Sequence, residues 1–524
     1  MSSAPSNAAP RGAPVPAKLA RGSALRTGNF LANAIAGLVL TPLVVHSIGD
    51  RMYGLWSLVA TFIGYYGLLD LGLTSAATRY VSQAIGAGDE PRCNRVFNTA
   101  LFVYSGMALV ALAITIVLAA LAPWFAKQPG DASIFSAVIL ILGAYTAIGI
   151  PLRAFVGTLN ADLHFDITSS LDMLSVVLRV TLILIILKLH MGVIALAAVT
   201  ALSGLPSAVL MVTALKRKLG FLKVSYADVE RPMIRELFSY GAYTFVSQVA
   251  DIFRFGIDAL VVSAYVGLAA VTHYNIGSSL VQYYISIMLS LMGVTMSVFS
   301  QREGARDIEG MKRAFYFALK ISMWSAGFIA FGLIAWGRPF ITRWMGPSYV
   351  DAYPILLVLT LGCAVGLAQM PAITLLYATS KHRFYAVANL CEASANVVLS
   401  LALVHKYGAL GVALGTMIPM LIVKVFVQPV YFCHFCGIPY RQYVGRVLRT
   451  LGYIAIGLAV PAIMAIRWVK PSYPWLMAVG AASLVIYAIP FFWLELSAGE
   501  ADVLARAILP GFACRWLPGR AGAE

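Results

Sequence analysis

Fourteen stretches of roughly 20 mostly apolar residues run through this chain, each long enough to cross a bilayer as a helix. They lie near 25–46, 53–74, 97–122, 134–157, 169–189, 191–214, 237–263, 267–298, 313–337, 353–377, 384–405, 408–430, 446–466 and 474–495. Backbone in lipid must satisfy its own hydrogen bonds, which leaves only helices or a closed barrel. These windows are continuously apolar and do not alternate in short segments, so a β-barrel is excluded. With 60% hydrophobic and 11% charged residues, the chain also lacks the polar side chains to cover a soluble core of this size. The expected fold is an all-α polytopic membrane protein with 14 transmembrane helices.

The chain repeats itself. Residues 82–101 (SQAIGAGDEPRCNRVFNTAL) and 300–319 (SQREGARDIEGMKRAFYFAL) align without a gap, and nine of the 20 positions are identical, among them Gly86/Gly304, Asp89/Asp307, Arg95/Arg313 and Phe97/Phe315. Weaker echoes follow: Leu142-Gly143 with Leu361-Gly362, Pro151 with Pro371, and Val176-Val177-Leu178 with Val397-Val398-Leu399. Windows 1–6 and 7–12 are therefore two copies, and windows 13–14 are an addition. Six is even, so both copies enter the membrane from the same side, as parallel repeats. Duplicated bundles of this kind mark secondary transporters, with the pathway expected between the copies. The expected organisation is a disordered cytoplasmic tail (1–22), an N-lobe (23–215), a basic cytoplasmic linker (216–236), a C-lobe (237–436), two further helices (437–497) and an interfacial C-terminus (498–524). Two amphipathic stretches, 228–238 and the one carrying Val503, Leu504, Ile508 and Leu509, are expected to lie on the inner surface. Prolines within windows (Pro42, Pro151, Pro206, Pro371, Pro419, Pro461 and Pro490) free carbonyls and permit bends.

The net charge of +16 raises the question of nucleic acid, but its placement argues for a membrane. With the N-terminus inside, and residues near window ends counted with the adjoining loop, 26 of the 38 Lys/Arg fall in cytoplasmic segments, 8 in outer loops and 4 in helix interiors. This asymmetry obeys the positive-inside rule and predicts both termini on the cytoplasmic side. The linker cations Lys216, Arg217, Lys218, Lys223, Arg231 and Arg235 are suited to anionic headgroups. Of the six cysteines, Cys433 and Cys436 form a C-H-F-C with no second pair, so they read as apolar residues. No window has a metal-ligand spacing, no Walker motif is present, and no cofactor is expected.

A charge at mid-membrane costs on the order of 2.5–3.5 kcal/mol even on the lenient insertion scale. Those retained tend to face a bundle interior or a wet cavity. Window 7 holds Asp251, Arg254 and Asp258 on one helical face, either as a charged stripe on a cavity wall or as a self-neutralising structural cluster. Arg179 is near the middle of window 5 with Asp172 two turns earlier, and Glu392 is near the centre of window 11; both are too deep to snorkel easily. Lys320 and Lys424 either line a cavity or snorkel to the inner headgroups. Asp70, at the end of window 2, reads as a local hydrogen-bond anchor.

Asn29 and Asn33, Pro42, Ile48-Gly49-Asp50-Arg51-Met52-Tyr53-Gly54, and Tyr66-Gly67-Leu68-Leu69-Asp70-Leu71-Gly72-Leu73 together resemble the opening of polysaccharide-biosynthesis flippases. These belong to the multidrug/oligosaccharidyl-lipid/polysaccharide exporter superfamily, and the O-antigen and exopolysaccharide translocases are the nearest likeness. The resemblance implies a translocase, not an enzyme. It would move a polyprenyl-pyrophosphate-linked oligosaccharide from the inner to the outer leaflet of the bacterial cytoplasmic membrane, through a cationic cavity between two lobes. Polysaccharide polymerase and chain-length regulator are the implied further partners, beside membrane lipids. Arg179, Arg254, Lys320 and Lys424 are the positions that could supply the cavity's charge for the pyrophosphate. Asp251, Asp258 and Glu392 leave proton or sodium coupling open. A cation-coupled multidrug exporter of the same superfamily would have twelve helices and an acid in helix 1, and no acid lies between Arg26 and Val45 here. A sugar porter's Gly-Asp-Arg loop is not matched by 79–95, and a membrane glycosyltransferase or polymerase would need a large outer loop that the spacing does not provide.

Overall fold

A computed structural model describes residues 15–125, 128, 130–162, 164–239, 245, 249, 256–293, 295–379, 383–467, 472–497 and 499–500. Among them every regular element is helical, and the chain divides into two compact units, Met1–Val249 and Ala250–Glu524. The first unit contains α1 (Val15–Ile48), α2 (Asp50–Tyr65), α3 (Leu73–Ala87), α4 (Glu90–Ala120), α5 (Asp131–Ala161), α6 (Phe165–Lys188) and α7 (Val193–Lys218). The second contains α8 (Ile257–Tyr265), α9 (Leu268–Met292), α10 (Thr295–Gly304), α11 (Ile308–Trp344), α12 (Ala352–Ala368), α13 (Met370–Ala378), α14 (Arg383–Ile422), α15 (Gln428–Cys436), α16 (Tyr440–Arg467) and α17 (Tyr473–Pro490). Residues 15–22, expected in a disordered tail, form the first turns of α1.

Ten helices among the described residues are long and apolar enough to cross a membrane, or 11 if the bent pair α12–α13 is one span. Three features account for the difference from fourteen windows. Val387–Cys436 is continuous over 50 residues, which as one straight helix would run about 75 Å, more than twice a hydrocarbon core of about 30 Å. The chain instead reverses at Gly408, whose φ of 56° and ψ of −138° are not helical. Beyond it a Cβ on Gly411 would lie 2.3 Å from the Leu403 carbonyl oxygen, and one on Gly415 would lie 2.3 Å from Ser400 Oγ. Two antiparallel arms therefore meet backbone to backbone, matching windows 11 and 12, and small residues are what permit that approach in lipid. Second, α9 answers window 8, but Asn275, Ser278, Ser279 and Gln282 dilute its apolar character. Third, window 7 falls largely outside the described residues.

The duplication is visible in three dimensions at the loop where the sequence match is strongest. Asp89 caps α4 by accepting a hydrogen bond from the Arg92 N–H at 2.9 Å, and Asp307 caps α11 by accepting from the Gly310 N–H at 2.8 Å. The residue just before each cap is left-handed or leads out of a left-handed turn: Gly88 has φ 68° and Arg306 has φ 55°. The side-chain oxygen satisfies a first-turn N–H that no helical carbonyl can reach, which fixes where each long helix begins. Behind the caps, Phe97 and Phe315 are both buried.

The boundary between units falls after Val249, beyond the expected basic linker. The reason is that 216–239 docks on the first unit. Asn98 donates to the Lys223 carbonyl at 2.8 Å and accepts from the Ser225 N–H at 2.9 Å, while Asn94 accepts from the Lys223 N–H at 2.8 Å. Leu219, Met233 and Leu237 bury their side chains with Phe97 and Tyr104, so the apolar face of 228–238 is turned into protein. At the other end, α16 and α17 pack on α11: Tyr487 donates to the Trp324 carbonyl at 2.9 Å, and their ring centroids are 4.6 Å apart. In lipid such packing and hydrogen bonding hold helices together, since apolar burial alone offers no gain over acyl chains.

Candidate functional site

In the first unit, α1 and α6 join the two asparagines of the opening motif to the deep arginine. Asn33 Nδ2 donates to the Asn29 carbonyl at 2.9 Å and lies 3.1 Å from Asn29 Oδ1. Asn33 Oδ1 then accepts from the Arg179 guanidinium at 3.1 Å. Among the described residues no carboxylate lies within ion-pair distance of Arg179, including Asp172 on its own helix. Arg179 is half-buried and Asn33 exposed, so this guanidinium keeps most of its five donors available. Tyr145 of α5 lies within electrostatic reach of both Arg179 and Asp172 and was not singled out from sequence.

The other motif residues serve the frame. Gly49 makes the turn between α1 and α2 with φ 79° and ψ 161°, a conformation that a Cβ disfavours. Arg51 pairs with the buried Asp131 at 2.7 Å, tying α2 to the start of α5. Tyr53 packs beside Val44, Ile183 and Leu196, and Gly54 is buried. Gly72, left-handed at φ 73°, precedes α3. Asp70 is buried and accepts from Tyr104 at 2.9 Å and from Thr74, with Arg153 at 3.4 Å.

In the second unit, Asp258 is 4% exposed and accepts from the Tyr274 hydroxyl, while the Thr416 hydroxyl lies 3.0 Å from its Oδ2. Thr416 Oγ1 is also 3.2 Å from Asn396 Oδ1 and 3.3 Å from the Val412 carbonyl, and Ser400 donates to Asn396 Oδ1 at 2.9 Å. The two hairpin arms of α14 supply all four of these partners, so the reversal at Gly408 is what assembles them. Asp258 Oδ1 and Oδ2, Asn396 Oδ1, Thr416 Oγ1, Ser400 Oγ and the Val412 carbonyl make six oxygens. Hydroxyl groups of Tyr274, Thr416 and Ser400 donate within this cluster. Asp251 and Arg254, its expected neighbours on window 7, lie outside the described residues.

Glu392 and Lys424 form a second buried cluster, 3.3 Å apart and 2% and 3% exposed as side chains. The ammonium also reaches Asn389 Oδ1 at 3.2 Å and the Tyr385 hydroxyl at 3.4 Å, and sits 4.9 Å from the Tyr385 ring centroid. Lys424 thus neither snorkels nor lines an open cavity in this conformation. It occupies a π-helical turn, Val423–Val427, where the irregular backbone needs outside partners. Gln369, at the 44° break between α12 and α13, donates to the Lys424 carbonyl at 2.8 Å. Lys320 is likewise engaged: its ammonium donates to the Glu495 carbonyl at 3.0 Å and pairs with Glu500 at 2.9 Å. Burial pushes the Glu500 carboxyl up, but the Ser497 N–H and the Lys320 ammonium outweigh this and hold it below its usual value.

Sequence reading thus found the ionised residues and missed their neutral partners Tyr274, Asn389, Asn396, Thr416 and Gln369. One signal was present: Asn396 and Ser400 stand four apart in window 11, on a shared helical face.

A sequence profile described as "Polysaccharide biosynthesis protein" matches residues 19–303, more than half of the chain. The chain belongs to the polysaccharide biosynthesis protein family. A second profile, MatE, matches residues 244–402. The membrane protein EpsK of Bacillus subtilis, described as uncharacterized, is 24% identical over 505 residues, covering 92% of this chain and 97% of that protein. The lipid II flippase MurJ in an inward closed conformation superposes with a TM-score of 0.68 at 17% identity, over 93% of this chain and all of that one. An inward-facing multidrug resistance MATE family transporter of the MOP superfamily gives 0.67 at 18% identity, over 79% of this chain and 98% of that one. At these identities the two structures show a common fold. This member of the family is a multi-pass membrane protein with the transporter fold of that superfamily.

Proposed function

We propose that the protein flips a polyprenyl-pyrophosphate-linked oligosaccharide, an O-antigen or exopolysaccharide repeat unit, from the inner to the outer leaflet of a bacterial cytoplasmic membrane by alternating access. Both termini are on the cytoplasmic side in this reading, in keeping with the distribution of Lys and Arg. The observation that carries it is Arg179, a half-exposed guanidinium at mid-span held by a neutral amide and by no carboxylate among the described residues. An isolated anion costs tens of kcal/mol in a low-dielectric medium, and an Arg that can grip phosphate bidentately lowers that barrier. The same charge is the wrong sign for a cationic drug. Arg254 is a candidate pyrophosphate contact on the strength of its charge and depth in the sequence alone, whereas Lys320 and Lys424 are engaged by Glu500 and Glu392.

Asp258 carries proton or sodium coupling in this reading, so that transport runs without ATP. An inside-negative potential adds about 2.3 kcal/mol per charge per 100 mV for outward movement of the anionic head.

The test is a strain lacking the protein, complemented with Arg179→Ala, Arg179→Glu and Arg179→Lys at equal membrane levels. Hydrogen bonds from a charged donor contribute about 1.5–3 kcal/mol, so Arg179→Ala lowers surface polymer roughly 10- to 100-fold. Lipid-linked glycan accumulates on the inner leaflet, and Arg179→Lys restores part of the output. Full polymer from Arg179→Glu rejects the assignment.

A further inference from the structure

At the end of the second unit that bears Arg302, Lys312 and Arg313, the start of α11, the start of α16 and the residues after α17 enclose a cavity of about 670 Å³. By the positive-inside rule this is the cytoplasmic end. Five cations line or border the cavity, and three of them are neutralised locally. Arg302 pairs with Asp307, Lys312 with Glu309 at 2.9 Å, and Lys320 with Glu500 at 2.9 Å. Two are left over. Arg313 is exposed and makes no hydrogen bond or ion pair among the described residues. Arg446 lies over the Tyr316 ring at 3.8 Å, a stacking contact that orients the guanidinium while leaving its N–H edge free.

Two free guanidiniums on the wall of one cavity form a site for a doubly charged or bidentate oxyanion. The cavity volume falls within the range of small-ligand pockets, roughly 300–1,000 Å³. Its level relative to the membrane is marked by Trp493, which is 84% exposed, with Phe492 and Leu494 on either side, all just before Ser497 at the cavity rim. An exposed Trp at the end of a span is the residue expected at the headgroup layer. We infer that this cavity binds a lipid-borne phosphate group at the cytoplasmic surface, with Arg313 and Arg446 as the phosphate contacts and the three local ion pairs as its walls. Basic pockets between transmembrane helices on this side of a membrane suit such headgroups. The site is built from residues of the second unit alone and does not depend on which cargo is moved.

The purified full-length protein in neutral detergent is titrated with phosphatidylglycerol, a polyprenyl pyrophosphate, phosphatidylcholine and inorganic pyrophosphate, and bound lipid is read by native mass spectrometry. Retention of either anionic lipid over phosphatidylcholine is expected, and the one preferred identifies the source of the phosphate. Competition by inorganic pyrophosphate without lipid preference would assign the site to a free phosphate and reject the lipid. Arg313→Gln and Arg446→Gln each weaken retention about fivefold, and the double variant about thirtyfold. Glu309→Gln, which releases Lys312 from its ion pair, tightens retention, a gain that a merely destabilised protein does not show. Equal retention of all three lipids, or undiminished affinity in a double variant with unaltered thermal unfolding, overturns the inference.

Discussion

Replacing Glu392 by Gln isolates the energetics of the buried pair with Lys424. At 3.3 Å and an effective dielectric of about 20, the attraction between the two charges is roughly 5 kcal/mol. Desolvation of both groups offsets much of this, so the pair as a whole adds little over an apolar pair of the same volume. Breaking it is another matter. Glu392→Gln leaves an ammonium 3% exposed, held by Asn389, Tyr385 and a neutral amide, and is expected to cost about 3–5 kcal/mol. Lys424→Met strands the carboxylate instead and is expected to cost about 3 kcal/mol. The double variant Glu392→Gln/Lys424→Met removes both charges and should be close to the parent in stability, giving a coupling energy near the sum of the single costs, about 6–8 kcal/mol. Unfolding of the full chain in detergent by a graded denaturant, followed by tryptophan fluorescence, provides the four free energies of the cycle. Additive single effects, or a Glu392→Gln cost under about 1 kcal/mol, would refute the argument that charge pairing keeps these side chains buried.

Three further outcomes follow from particular contacts. Gly411→Ala places a methyl group against the Leu403 carbonyl oxygen, 2.3 Å from its ideal position, and should destabilise the hairpin by about 1–3 kcal/mol in the same unfolding assay. Asn98→Ala removes the side chain that holds the Lys223 carbonyl and the Ser225 N–H, so trypsin should cut at Lys216–Lys223 at least several times faster, with cleavage elsewhere unchanged. Because the folded Glu500 carboxyl is held below its ordinary value of 4.5, its tie to Lys320 is fully present above that pH and is lost as pH falls through the lowered value. Proteolysis after residue 495 should therefore stay slow at pH 5–7 and accelerate only in stronger acid, and Glu500→Gln should remove that dependence.

Much of the fold was legible because a membrane imposes few solutions. Length and continuity of apolar runs fix helices, and the shared Asp89/Asp307 and Phe97/Phe315 register exposed the duplication down to the cap atoms. What could not be read was the state of each buried charge. Lys424 and Lys320 look alike in sequence, yet one meets Glu392 from another arm and the other meets Glu500, 180 residues further along the chain. The basic run 216–236 reads as a free linker, because the asparagines that dock it, Asn94 and Asn98, sit more than a hundred residues earlier.

The amino-acid order alone determined that this chain spans a membrane as helices, that the helix start at 82–101 recurs at 300–319, and which ionisable residues lie deep within apolar windows. These are properties of local hydrophobicity, spacing and repetition, which need no partner from elsewhere in the chain. Only the tertiary structure decided that Arg179 is left to Asn33, that Glu392 and Lys424 neutralise each other, and that the reversal at Gly408 gathers oxygens around Asp258. Those outcomes depend on which helix faces which, and pairing across hundreds of residues is set by packing geometry that no stretch of sequence carries by itself.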